Sequence, residues 1–133
     1  MSNRKQLPGK FVWFELVSSE PKKAQAFYGE VLGWKVQPFP MGPFTYEMIL
    51  AGDTLDTMIG GYATPRGNRE PSRWIASVSV DDVDATIARA RNHGAKIPMD
   101  AEDIPGIGRF GVLQDPTGAT LAIMKPLPRE KQG

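Results

Sequence analysis

The order of structural signals in the first half of this chain is repeated, element for element, in the second. Phe11-Val12-Trp13-Phe14-Glu15-Leu16-Val17 is a β-rich run that reads as a strand. Ser18-Ser19-Glu20-Pro21 follows with hydroxyl cap candidates and an early proline, the chemistry of a helix start. Ala24, Phe27, Tyr28, Val31 and Leu32 then recur at helical spacing, and Gly33 stands where a helix would end. Three short strands are predicted next, over 34–37, 44–50 and 57–62, punctuated by Gly42-Pro43 and Gly52-Asp53. The second half begins again with an alternating strand over 74–80. Asp81-Asp82-Val83-Asp84 predicts a helix start, with carboxylates at the positive end of the dipole. Val83, Ile87 and Ala90 form its apolar stripe, and His93-Gly94 closes it. Strands over 95–98, 110–114 and 119–124 complete the copy, the last two joined by the turn Asp115-Pro116-Thr117-Gly118.

An offset of about 62 residues superposes the halves, placing Trp13 on Ile75, Asp53 on Asp115 and Gly60 on Ala122. The pattern is βαβββ written twice, over about 10–62 and 73–125, with a Pro-, Gly-, Arg- and Glu-containing hinge at 63–72. Neither copy could cover both faces of its own sheet. The 133 residues are therefore expected to form a single α+β domain.

Composition narrows the function by exclusion. There is no cysteine, which rules out disulfides, thiolate nucleophiles and cysteine-based zinc sites. A net charge of +1 gives no drive towards nucleic acid or an anionic membrane. The basic clusters Arg4, Lys5, Lys10 and Lys125, Arg129, Lys131 read as solvated tails. No stretch approaches the ~20 apolar residues of a membrane span, and residues 1–10 have no apolar core of a signal peptide. A cytoplasmic location is the resulting expectation.

Three motifs carry a family resemblance across about residues 10–126. Phe27-Tyr28-Gly29-Glu30-Val31-Leu32-Gly33-Trp34 resembles a helix end of the vicinal-oxygen-chelate superfamily, the glyoxalase/bleomycin-resistance/dioxygenase family. Val80-Asp81-Asp82-Val83-Asp84 is similar to the start of its second helix, and Gln114-Asp115-Pro116-Thr117-Gly118-Ala119 to its terminal hairpin. The stretch from Asp103 to Phe110 further resembles a branch of small actinobacterial-type antigens and hydroxylase-like proteins. The resemblance implies two βαβββ modules forming an open, cup-shaped mixed sheet, commonly as a homodimer. It also implies one divalent metal, held by one residue from the first and one from the last strand of each module. Those positions fall here on Trp13, Ile75 (or Trp74 in a shifted register), Gly60 and Ala122, none of which offers a ligating side chain. The single histidine, His93, sits at a helix end and reads as a dipole-compatible cap. The chain is thus expected to lack the family metal and any other cofactor, a divalent ion in an atypical site being the alternative.

What remains is a small-molecule cup. Alternation from Trp13 puts Glu15 on the same face, and the expected ligand-binding set is Trp13, Glu15, Tyr46, Gly60, Tyr62, Ile75, Ser77, Arg109 and Ala122. Glu15 is the candidate catalytic group: a desolvated carboxylate could act as a general base, or it could form a structural ion pair with Arg109 or Arg73. Trp34 is expected to plug core and Trp74 to pack under a helix. Gly106-Ile107-Gly108 lacks the strand-to-helix context of a phosphate cradle and reads as a turn. Four functions fit: a metal-independent binder of a small, partly aromatic molecule; a lyase, isomerase or dioxygenase using Glu15 or an atypical metal site; drug sequestration; or an interaction subunit.

Overall fold

The computed structural model describes residues 8–41, 43–65, 71–104 and 106–126. The described residues hold eight strands and two α-helices in the order βαβββ, βαβββ, an α+β fold with mixed parallel and antiparallel pairing. The chain forms two compact units, Trp13–Ala76 and Met1–Val12 with Ser77–Gly133. The division falls inside two strands, β1 (Phe11–Val17) and β5 (Arg73–Ser79).

In the first unit, β1 pairs in parallel with β4 (Met58–Ala63), and β4 is antiparallel to β3 (Phe44–Leu50). The outer strand β2 (Lys35–Met41) is antiparallel to β3. It runs beyond the expected 34–37, straight through Pro38 and Pro40. An edge strand tolerates this, because half of its amides face no partner and a missing N–H there breaks no ladder bond. The same logic extends β6 (Lys96–Ile104) through Pro98 in the second unit. Helix α1 (Pro21–Leu32) starts with proline at its first turn, and Gly33 ends it at φ 74°, its N–H reaching Gly29 O at 3.1 Å. The cap position is Glu20, with no side-chain cap bond; Ser18 Oγ instead accepts from Glu20 N at 3.0 Å. Under the helix, Leu16, Ile49 and Tyr62 form a buried cluster joined by Ala24, Tyr28, Trp34, Val36 and Ile59. Trp34 packs against this core but is only partly buried. Trp74 lies with it and with Tyr28, donating Nε1–H to Tyr28 Oη at 3.2 Å, but stays 41% exposed.

In the second unit, β5 is parallel to β8 (Thr120–Pro126), and β8, β7 (Gly108–Gln114) and β6 continue antiparallel. Gly9 N donates to Ser79 O and Ser79 N donates to Lys10 O, so residues 9–10 edge this unit. Helix α2 (Val83–Asn92) is capped by Asp82, whose carboxylate accepts from Ala85 N at 3.0 Å, and His93 sits at its C-terminal cap. Val83 and Ile87 bury against Ile123, each about 2% exposed. By contrast, α1 buries no residue fully. The Asp115 turn closes as expected, its carboxylate accepting from Thr117 N and Ala119 N, with Gly118 at φ 99°. Of the basic clusters, Lys10 and Lys125 are exposed, while Arg4, Lys5, Arg129 and Lys131 lie outside the described residues. No helix among the described residues is long and apolar enough to cross a membrane.

Candidate functional site

Alternation along β1 separates two chemistries. Leu16 points to the α1 side, in the buried cluster, whereas Trp13, Glu15 and Val17 point to the opposite face. On β3 the helix side is marked by Glu47, whose carboxylate accepts from Lys22 Nζ at 2.8 Å and Gln25 Nε2 at 2.7 Å, both on α1. Tyr46, one residue away, therefore shares the face of Trp13 and Glu15.

The three side chains meet there. Trp13 Nε1–H donates to Tyr46 Oη at 3.1 Å, and Tyr46 O–H donates to Glu15 Oε2 at 2.5 Å. All three residues are half-buried. Burial pushes the Glu15 carboxyl above its ordinary range, and the Tyr46 hydrogen bond pulls it only part of the way back. The Tyr46 hydroxyl is raised as well, first by burial and then by the adjacent carboxylate. Of the alternatives for Glu15, the structure shows a neutral partner, Tyr46, and not Arg109.

The ring of Tyr46 lies over Gly61. A Cβ built there would stand 2.0 Å from Oη and 2.3 Å from Cζ. Gly61 is the register partner of Glu15, and it is the β4 position that belongs to this face. Gly60 does not: it pairs with Phe14, and its Cβ would strike the Phe14 carbonyl oxygen at 1.7 Å. Tyr62 pairs with Leu16 and is buried in the α1 cluster. The expectation that Gly60 and Tyr62 share a face with Trp13 and Glu15 is thus corrected by one residue. The cause is a β-bulge: Leu50 faces Met58 but Ile49 faces Gly60, which inserts Ile59 into β4. The halves therefore match at an offset of 62 in their first strands, Glu15 on Ser77, but 61 in their last, Gly61 on Ala122.

In the second unit, Ser77 and Ala122 are register partners on the face away from α2, 2% and 5% exposed. Ile75 precedes Ser77 by one alternation in β5, belongs to the first unit and is 9% exposed. Arg109 is elsewhere. It shares the α2 side with Gly111, whose Cβ would meet Ile87, and its guanidinium binds Asp84 at 2.9 and 3.0 Å and Asp103 at 2.8 Å. Two carboxylates hold its donors on the helix-covered side, so its expected place among the ligand-binding residues is corrected too. Gly61 and the Trp13–Tyr46–Glu15 connection escaped sequence reasoning; the Gly60-Gly61 pair inside a strand was the available sign of close approach.

The family-type metal does not fit these residues. Trp13, Ile75 and Ala122 offer no ligating side chain, and neither Gly60 nor Gly61 does. No three His, Cys, Asp or Glu side chains gather among the described residues. Glu15 contributes one carboxylate, half engaged by Tyr46.

Comparison with known proteins places the chain in a family and supports its fold. The family model described as Glyoxalase/Bleomycin resistance protein/Dioxygenase superfamily matches residues 10–123. CFP32 of Mycobacterium bovis, a candidate glyoxylase, is 36% identical over 123 residues, covering 92% of this chain and 46% of that protein. The anthracycline biosynthesis protein DnrV of Streptomyces peucetius is 28% identical over 130 residues, 89% of this chain and 47% of its own. The chain spans about half the length of the curated relatives it matches. Among solved structures, methylmalonyl-CoA epimerase from Mycobacterium tuberculosis superposes with a TM-score of 0.63 at 14% identity, covering 96% of this chain and 94% of that one. That likeness is one of fold.

Proposed function

The chain belongs to the glyoxalase/bleomycin resistance protein/dioxygenase superfamily, and from that premise we propose that it is a metal-independent member binding a small, partly aromatic molecule. The ligand lies against the face of Trp13, Glu15 and Tyr46. One observation supports the reading: the positions that the resemblance assigns to the family's metal, Trp13, Ile75, Gly60 and Ala122, carry no ligating side chain, while two aromatic side chains and a carboxyl group form one hydrogen-bonded unit. Large apolar surface with few polar orienting groups is the usual make-up of a small-molecule site. The relatives' names, a candidate glyoxylase and an anthracycline biosynthesis protein, belong to chains with as much sequence again. Their chemistry is not carried over.

The test is the metal content of tag-free purified protein by plasma mass spectrometry, followed by a ligand panel read through indole fluorescence. Metal near zero per chain with a saturable ligand response supports the proposal. Close to one metal per chain, retained on dialysis, would overturn it. A second reading, an enzyme with Glu15 as general base, is favoured by the burial that raises the Glu15 carboxyl above its ordinary range. Turnover of any panel compound that vanishes in Glu15→Gln would select it. The same proposal has the protein working as a cytoplasmic homodimer. Light scattering at the mass of one chain would remove the dimer.

A further inference from the structure

The hydrogen bonds on this face run in one direction. An indole has one donor and a phenol one; Trp13 directs its own to Tyr46 Oη, and Tyr46 directs its own to Glu15 Oε2. The relay ends on the Glu15 carboxyl, which in its ionised form can only accept. Its other oxygen, Oε1, receives no hydrogen bond from a described side chain. The described residues contain no fully buried side-chain N or O atom without a partner, and Glu15 is half-buried, so its carboxyl is not sealed from solvent. Gly61, beneath the Tyr46 ring, adds no side chain. The Trp13 ring, tethered through its own N–H, offers a π-surface but no spare donor.

Resting on the reading of this face as the ligand site, we propose that it selects aromatic ligands carrying a hydrogen-bond donor, a hydroxyl or an N–H, which is delivered to Glu15 Oε1. Ligands whose polar end is an anion are rejected. A donor meeting a carboxylate makes a charge-assisted bond in a partly desolvated place, where such bonds are shortest and strongest. An incoming carboxylate would set lone pairs against lone pairs and find neither the indole N–H nor the phenol O–H free, a repulsive element that specificity requires.

Four probes on one ring system separate the terms: 2-naphthol, 2-naphthylmethylamine, 2-naphthoate and naphthalene, each titrated near neutral pH by calorimetry and by indole fluorescence. Naphthol and the amine are expected to bind about tenfold or more tighter than naphthoate, with naphthalene between. Naphthol and amine together mean that a neutral donor suffices; amine alone means that the donor is cationic, and either supports the inference. Glu15→Gln supplies a donor of its own and should erase the discrimination against naphthoate. Tyr46→Phe provides an independent arm: it frees the Trp13 N–H, so naphthoate should gain affinity severalfold. Naphthoate binding the unmodified protein as tightly as naphthol would overturn the donor rule and leave the site in place. Silence of all four probes would overturn the site and the rule together.

Discussion

Replacing Gly61 by alanine would put a Cβ 2.0 Å from the Tyr46 hydroxyl oxygen, 2.3 Å from Cζ and 2.8 Å from Cε2. Every one of those atoms belongs to a side chain that can rotate, so the strand can keep its register while the ring leaves. The ring's departure forfeits its bonds to Trp13 and Glu15. A neutral bond contributes about 1 kcal/mol and one to a charged group about 2, so Gly61→Ala should cost about 3 kcal/mol. Tyr46→Ala removes the obstacle beforehand. In that background, Gly61→Ala should cost nothing beyond about 0.5 kcal/mol, and a double-mutant cycle should return a coupling above about 2 kcal/mol. Urea unfolding of the four proteins, with equal m-values as the check on comparability, measures it. Additivity within about 0.5 kcal/mol would refute the packing of Tyr46 over Gly61, and with it the geometry of the candidate site.

Gly60→Ala is the neighbouring contrast: its Cβ would meet the Phe14 carbonyl oxygen at 1.7 Å, a backbone atom no side-chain deletion can move. It should cost more than about 4 kcal/mol in every background, and a stable, soluble variant would contradict the parallel register. For Glu15, burial raises the folded pKa above the unfolded one, so the native state holds the proton more tightly. Stability from this group is present below the ordinary carboxylate range and lost as pH rises through the raised folded value. Unfolding free energy measured from about pH 4 to about pH 7 should fall relative to the non-titrating Glu15→Gln, and a rise would show the carboxylate to be favoured by its surroundings. Ile87, 2% exposed against Val83 and Ile123, should cost about 2–5 kcal/mol on truncation to alanine. A loss under about 1 kcal/mol in the same denaturation assay would place α2 off its sheet.

Much of the architecture was legible because it rests on local chemistry. Gly33 at positive φ, Asp82 at a cap and the Asp115 turn each fix their surroundings within a few residues, and the repeated order of such signals gives the βαβββ pair. What was not legible depends on pairing. Strand lengths at 35–41 and 96–104 are hidden by prolines that only an edge position excuses. The bulge at Ile59 has no signature in the alternation of β4, yet it decides whether Gly60 or Gly61 faces Glu15. The contact between Tyr46 and Glu15 spans 31 residues, and Arg109 finds Asp84 across 25; neither follows from spacing. Trp13 and Glu15 could be put on one face by period alone, but their partner could be supplied only by the sheet.

The boundary that cuts β1 and β5 also bears on how such a chain can evolve. Residues 9–12 edge the unit built from the second repeat, and Trp74, at the start of the second repeat, donates to Tyr28 of the first. A break in the linker would release one fragment without the indole that Tyr28 accepts from, and another whose Ser79 has lost both backbone bonds to Gly9 and Lys10. The two repeats are thus interdependent as they stand: sequence can change within either, but removing one strips the other of contacts that it uses.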